Sequence, residues 1–257
     1  MSYIVAEGLT KKYGSGDAAV IAADDISFQI EEGAFIGIMG ESGSGKSTLL
    51  GMMGAMNAPT SGRFIVDDID IYSLDQEQRA DFRRELLGFI FQSFHLVPYL
   101  TVLENTMLPL AVVKAAKKQK LEMAQEALSQ VGLLEKAHRL PNQISGGEKE
   151  RVAIARSIVN EPPILLADEP TGNLDTKTSR EIMELLKKLN QTGMTVVMVT
   201  HSPECAGYVK RIMRVADGKL VGDHSNVKSI DQWLLTLHFQ THRKNRARGP
   251  ANHTIRG

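Results

Sequence analysis

Two kinds of apolar pattern run through the chain and divide it into strands and helices. Tyr3 to Thr10 and Ile21 to Ile30 carry apolar residues at alternating positions, with Ile26, Phe28 and Ile30 on one face. Arg63 to Tyr72 repeats the pattern around Phe64, Val66, Ile69 and Ile71. A period of two predicts half-buried strands, here those of an antiparallel layer. Phe35 to Met39, Leu87 to Phe91, Ile164 to Ala167 and Met194 to Val199, the last with Thr195 near its start, are apolar runs instead, as strands covered on both faces require. Ile212 to Val215 and Lys219 to Val221 read as a hairpin around Asp217-Gly218. Between the strands the period lengthens. A helix starts near Lys46, a charged one spans Gln76 to Leu86, and Leu100 to Leu110 is apolar and helical with Pro109 near its end. Lys114 to Val131 is amphipathic through Leu121, Ala124, Leu128 and Val131, with its lysines on a solvated face. Lys149 to Val159 is stopped by Pro162 and Pro163, and a helix after Asp175 carries Ile182, Leu185, Leu186 and Leu189, with Thr178 and Glu181 at capping-box spacing. Strands alternating with helices predict an α/β fold with a mixed sheet, and no internal repeat is present.

The chemistry sits where these elements change. Gly40-Glu41-Ser42-Gly43-Ser44-Gly45-Lys46-Ser47-Thr48 follows a buried strand and opens a helix. Its glycines let consecutive backbone N–H groups turn inward, and the helix end adds its positive dipole, which together cradle a polyphosphate. Lys46 reaches β/γ-phosphate oxygens as a point charge, and the Ser47 hydroxyl is placed for Mg²⁺. Asp168 and Glu169 close the next apolar strand on the same sheet edge, where one carboxylate can hold Mg²⁺ and the other orient and deprotonate a water. His201 ends the following strand, within reach of a γ-phosphate, and Gln92 ends another, pointing at the phosphate site. Ser145 with Gly146 and Gly147 opens the Lys149 helix and makes a second anion-binding end. Two such ends imply two phosphates, or one nucleotide shared between two copies. Tyr13, on a turn flanked by Gly14 and Gly16, offers an aromatic face to a base.

Composition narrows the class. Of 257 residues 42% are hydrophobic and 23% charged, as in a globular protein with a substantial core. No apolar run approaches the roughly 18 residues a membrane span needs, and MSYIVAEGLTKKYG has no signal-peptide pattern, so the chain is expected neither to cross a membrane nor to be exported. The single cysteine, Cys205, excludes an internal disulfide and fits a reducing compartment. Lys+Arg and Asp+Glu balance at 30 each, which gives no electrostatic reason to bind nucleic acid. From His238 onward Arg243, Lys244, Arg246, Arg248 and Arg256 stand without an acid, and that tail reads as disordered. Trp233, Leu234, Leu237 and Phe239 either form a terminal helix or belong to it.

Taken in order, Tyr13, GESGSGKST, Gln92, ISGGE with its helix, and LLADEPTGNLD followed by VTH resemble the ATP-binding-cassette ATPases over about residues 3 to 222. ISGGE is the most specific of these, because other P-loop enzymes lack it. The resemblance implies a P-loop ATPase core from residues 1–92 and 161–225 with an antiparallel β layer, a helical sub-domain at 93–160, and a C-terminal extension at 226–257. It implies ATP and Mg²⁺ as cofactors, with Tyr13 stacking adenine and Gly40 to Thr48 as Walker A. Gln92 becomes the Q-loop sensing Mg²⁺ and water, Ser145, Gly146 and Gly147 the signature pressed on the partner subunit's γ-phosphate, and Asp175 the D-loop. Asp168 becomes the metal residue, Glu169 the base and His201 the switch histidine. The usual signature is LSGGQ, so Ile144 and Glu148 depart from it, and Glu148 brings a carboxylate towards the nucleotide. FQSFHLVPYLTVLENTMLPL and ADEPTGNLD resemble the lipoprotein-releasing, macrolide-exporting and cell-division subgroup. That implies a head-to-tail ATPase dimer on the cytoplasmic face of the inner membrane, powering a separate permease with an extracytoplasmic domain. A non-transporting signalling complex would use the same residues. A soluble ATPase of DNA repair or translation would need an insertion or a second cassette, and a kinase-like transferase would not carry ISGGE.

Overall fold

The computed structural model describes residues 2–224, and the two sheets expected from the apolar periods are both present. The basic tail and Trp233 to Phe239 lie outside the described residues. The first sheet has four strands in the order β2-β1-β4-β5, with β1 at Ser2–Tyr13, β2 at Val20–Glu31, β4 at Ser61–Val66 and β5 at Ile69–Asp70, all antiparallel. Its alternation slips once. The core side passes from Ile4 and Ala6 to Leu9 because the β1–β2 register shifts there, with Gly8 at φ 58° and Asp25 at φ 53° in the left-handed region. A bulge of this kind returns the apolar set to the core after an odd step.

The second sheet has six strands in the order β10-β9-β3-β8-β7-β6. Here β3 is Phe35–Met39, β6 Leu87–Ile90, β7 Ile164–Asp168 and β8 Thr195–Thr200, all parallel, and β9 (Arg211–Ala216) joins them before the β10 hairpin (Lys219–His224) turns back. Every residue of β3 and β8 is buried, and successive residues feed opposite cores. Ile164, Leu166, Val197 and Val199 pack with the antiparallel layer and α1 (Lys46–Met53). Leu165, Ala167, Val196 and Met198 pack with the helices on the other face. A sheet coated on both faces leaves its strand ends as the place for a ligand.

Those helices are α3 (Val102–Met107), α4 (Lys117–Gln130), α5 (Gly146–Ile158) and α6 (Thr176–Gln191), while α2 (Gln76–Leu86) precedes β6. Three of them begin in reciprocal caps: Asp75 with Gln78, Thr101 with Glu104, and Ser145 with Glu148. α6 buries Ile182, Met183, Leu185, Leu186 and Leu189, one helical stripe, against the sheet. Four sequence expectations need correction. Arg63 to Tyr72 is broken by a two-residue turn at Asp67 and Asp68, both with positive φ, as a tight hairpin requires. The Lys149 helix starts three residues earlier, at Gly146, because Ser145 caps it. Asp175, not Thr178, caps α6, so the Thr178/Glu181 capping box does not form and Glu181 pairs with Arg151 instead. Tyr13 is the last residue of β1 rather than part of a turn.

Candidate functional site

The loop after β3 closes on the sheet through bare backbone. A Cβ on Gly40 would lie 2.1 Å from the Val215 carbonyl oxygen, and one on Gly45, at φ 101°, would lie 2.1 Å from that of Ala22. Only glycine fits either position. The loop is pinned from below by the Gly218 amide, which donates to the Ser44 carbonyl at 3.0 Å. No side chain caps α1. Leu49 makes its first helical bond, to the Gly45 carbonyl at 2.9 Å, so the amides of Lys46, Ser47 and Thr48 form an open, donor-only turn. Lys46 is buried and donates to the carbonyls of Gly40 (3.0 Å) and Glu41 (2.8 Å), so its ammonium stays inside the loop. The Ser44 hydroxyl is buried there without a partner.

Beside this loop, the ends of β7 and β8 bring three more of the sequence-derived residues together. The Ser47 hydroxyl donates to Asp168 Oδ1 at 3.2 Å. Burial raises the Asp168 pKa above the usual carboxylate range, the Ser47 hydrogen bond opposes that shift, and Glu169 adds to it. Glu169 stands at φ 50°, a costly conformation for a residue with a side chain, held by its amide donating to the Val199 carbonyl at 2.9 Å. That turn carries its carboxylate to His201, whose Nδ1 is 2.5 Å from Glu169 Oε2. A second link, between the Thr171 hydroxyl and the Cys205 thiol at 3.5 Å, ties the same two loops. Both links border a cavity of about 260 Å³ that reaches Gly172, Leu174 and Thr200. Ser47 and Asp168 supply two hard oxygen ligands side by side, a donor set that fits Mg²⁺ completed by phosphate and water.

Other residues lie apart from this cluster. Ser145 caps α5, accepting from the Glu148 amide at 3.3 Å, and a Cβ on Gly147 would lie 2.3 Å from Thr178 Cγ2, so this end is seated on the start of α6. Asp175 caps α6 there, accepting from the Thr178 amide (3.0 Å) and hydroxyl (2.6 Å), bonds that hold its carboxyl below the usual range. The Ser47 hydroxyl and the Lys46 ammonium bond to Asp168 and to the carbonyls of Gly40 and Glu41, not to this second cluster. Glu148 folds back on its own helix start. Its carboxylate accepts from the Ser145 amide at 2.9 Å and pairs with Lys136. The Gln92 side chain is exposed, and its carbonyl accepts from the Asn173 side-chain amide at 2.9 Å. Tyr13 is 43% exposed with Lys11 Nζ 5.2 Å from its ring centroid, and Val20, directly opposite in register, is 64% exposed.

Sequence reading missed Val20, Asn173, Lys136 and a pair in α5. Arg156 donates to the carbonyls of Phe94 and His95, both at 2.6 Å, and Glu150 is 1% exposed with an oxygen lacking any partner. Burial pushes the Glu150 carboxyl up to about 8 against the pull of Arg156. Its polar identity on a buried helix face is the one signal the sequence held.

The sequence profile of the ABC transporter family matches residues 23–172. An uncharacterized ABC transporter ATP-binding protein of Methanocaldococcus jannaschii is 44% identical over 218 residues, covering 85% of this chain and 97% of that one. The macrolide export ATP-binding/permease protein MacB of Hyphomonas neptunium is 41% identical over 218 residues, and the chain spans only 34% of its length. Among solved structures, the dimeric ABC transporter cassette MJ0796 superposes with a TM-score of 0.80 at 43% identity, covering 86% of this chain and 98% of that one. The same cassette is known as a dimer in a post-hydrolysis state bound to ADP and Pi, with 42% identity to this chain. With this fold, this edge geometry and these matches, the chain belongs to the ABC transporter family, as an ATP-binding and ATP-hydrolysing subunit.

Proposed function

We propose that two copies of this chain bind two ATP head to tail and that their closure and reopening drive a membrane permease from its cytoplasmic face. The observation that carries this reading is the paired edge, Ser47 on Asp168 and Glu169 on His201, with the donor-only turn of α1 beside it. Lys46, Gly40 to Thr48 and the open amides of that turn hold the triphosphate. Tyr13, with Val20 opposite, receives the base. Glu169 orients and deprotonates the attacking water, and His201, bonded to it, faces the γ-phosphate. Gln92 reaches the water from β6. Ser47 and Asp168, with Gln92 nearby, would hold Mg²⁺, which when bound neutralises charge on the β- and γ-phosphates.

The separation of the Ser145 cluster from the phosphate loop supports the two-copy assembly. Ser145, Gly146 and Gly147 offer donors to a nucleotide held by the other subunit, and Asp175 borders that contact. The helical unit at 93–160 carries this end on a core of 1–92 and 161–225. Among the described residues no helix is long and apolar enough to cross a membrane. Tyr99 is 79% exposed, with Val112 and Leu108 also exposed nearby in sequence, and this apolar surface suits a permease loop. MacB is by its name both an ATP-binding and a permease protein, which supports a permease as the partner here, and the partner we propose is a separate permease with an extracytoplasmic domain. The balanced charge gives no basis for a nucleic-acid partner.

Glu169→Gln should still bind ATP and form an ATP-dependent dimer, yet hydrolyse at least roughly 100-fold more slowly. Near-normal turnover would remove Glu169 as the base. For the permease, the tagged chain should bring a multi-span membrane protein with a large extracytoplasmic domain from solubilised membranes. Recovery of active soluble chain alone would count against the transporter assembly.

A further inference from the structure

Phe94 and His95 both stand in the left-handed region, at φ 46° and 48°, with no glycine among them. Two consecutive side-chain-bearing residues in that conformation each cost on the order of 1–2 kcal/mol, so something must hold them. The His95 amide donates to the Ser93 carbonyl within the turn, and Arg156 in the last turn of α5 holds its outward carbonyls. Its two terminal nitrogens each donate to one of these carbonyls, at 2.6 Å, a fork that matches two adjacent acceptors. Burial lowers the Arg156 pKa and the nearby Glu150 opposes that shift, so the guanidinium is kept in a dry setting where each hydrogen bond counts. Burial pushes the Glu150 carboxyl up to about 8, which weakens it as a competitor for the fork. The edge of the His95 ring also packs on Phe91, with centroids 5.1 Å apart, which carries the restraint back to the end of β6 next to Gln92.

The same helix carries Ser145 at its other end. Arg156 stands eleven residue steps from the cap, about 16 Å along a rigid rod. We propose that Arg156 is a positioning residue that clamps the Phe94–His95 turn in its strained form, and so fixes Gln92 on one side and Tyr99 on the other to the movements of α5. This rests on the reading above, in which Ser145 meets the partner's nucleotide and Gln92 serves the reacting water. The strain gives the clamp its meaning, since without it the turn has a lower-energy conformation to relax into.

The test is rescue by glycine in the purified full chain. Arg156→Met should lower the ATPase kcat about tenfold with KM for ATP within about twofold, and should speed amide hydrogen exchange over residues 93–97 about tenfold or more. Adding His95→Gly removes the cost of the left-handed conformation, and Arg156→Met/His95→Gly should recover kcat to within about threefold of wild type. Should Arg156→Met fold poorly, Arg156→Lys keeps the charge without the paired donors and should show the same direction of change. An unchanged kcat and exchange rate in both variants, or a loss that glycine at 95 does not repair, overturns the clamp. Glu169→Gln, run beside them, separates the two ideas. If it loses turnover while the Arg156 variants do not, the clamp alone falls. If it retains turnover, the reading of the site falls, and the clamp loses the water site it was argued to position.

Discussion

The two helix starts proposed above to meet phosphate, those of α1 and α5, are built in opposite ways. α1 opens on Gly45 with no side-chain cap, its loop pressed against the Ala22 and Val215 carbonyls, its lysine buried and bonded to two carbonyls of the same loop. α5 opens on Ser145 with a complete reciprocal cap, room at Gly146, and an acid whose charge is held by Lys136. The first is a finished site that one chain assembles by tight backbone approach. The second is a capped helix start seated on α6 with room at Gly146, an arrangement compatible with the proposal that another copy completes it.

Substitution at the two glycines should separate these designs most sharply. Gly45→Ala forces a methyl to 2.1 Å from the Ala22 carbonyl at φ 101°. Overpacking against backbone and left-handed strain together should cost about 3 kcal/mol or more. The thermal midpoint should drop by roughly 6–12 °C, and ATP hydrolysis should be lost. Calorimetry and an ATPase assay check both, and an active, stable Gly45→Ala protein would break the account of the first helix start.

The two ends also differ in how they bury charge. Lys46 is satisfied inside its loop, whereas Glu150, one turn into α5, has an orphan oxygen and a carboxyl pushed up to about 8 from 4.5. Between those values the unfolded chain has released this proton and the folded chain has kept it. Stability from this group therefore falls as pH rises from about 4.5 to 8 and is flat above, a loss bounded at about 5 kcal/mol. Glu150→Gln removes the slope, so denaturant midpoints of variant and wild type should lie closest near pH 5 and diverge towards pH 8, the variant being the more stable. Parallel pH profiles would mean the carboxyl is solvated or partnered in solution.

Much of this architecture was legible because it follows local periods. The apolar runs of β3, β7 and β8 and the glycine pattern between β3 and α1 leave few alternatives, and the carboxylates after β7 fall at the ligand edge once the strands are parallel. What was not legible depends on choices between near-equal local signals or on contacts far along the chain. Asp175 and Thr178 both cap well, and only the seating of Thr178 under Gly147 separates them. Asp67 and Asp68 tolerate positive φ without announcing it. Around Phe94 and His95 no glycine announces a left-handed turn, which a bond from the His95 amide to the Ser93 carbonyl closes locally and the Arg156 fork braces from 61 residues away. The pairing of Glu148 with Lys136 was not foreseen, because that lysine, twelve residues earlier, has no sequence mark that distinguishes it from a surface lysine.

The mildest substitution is the most discriminating one for the second helix start. A Cβ on Gly146 would meet only Leu174 Cδ2, at 3.7 Å, an ordinary contact, and alanine suits the first turn of a helix better than glycine. Gly146→Ala should therefore fold at least as well as wild type, with a gain of up to about 1 kcal/mol in denaturant unfolding. Its ATP affinity as a monomer should be unchanged, because the residue lies at the start of α5 and not in the Gly40–Thr48 loop. If the proposed assembly holds, the methyl stands where a partner's phosphate approaches the backbone, so ATP-dependent dimerisation and hydrolysis should fall about tenfold, the scale of one weakened charge-assisted contact. Loss of activity with stability intact would mark the α5 start as a surface that works only between copies. A Gly146→Ala protein that dimerises and hydrolyses normally would mean that this end is a capped helix and no more.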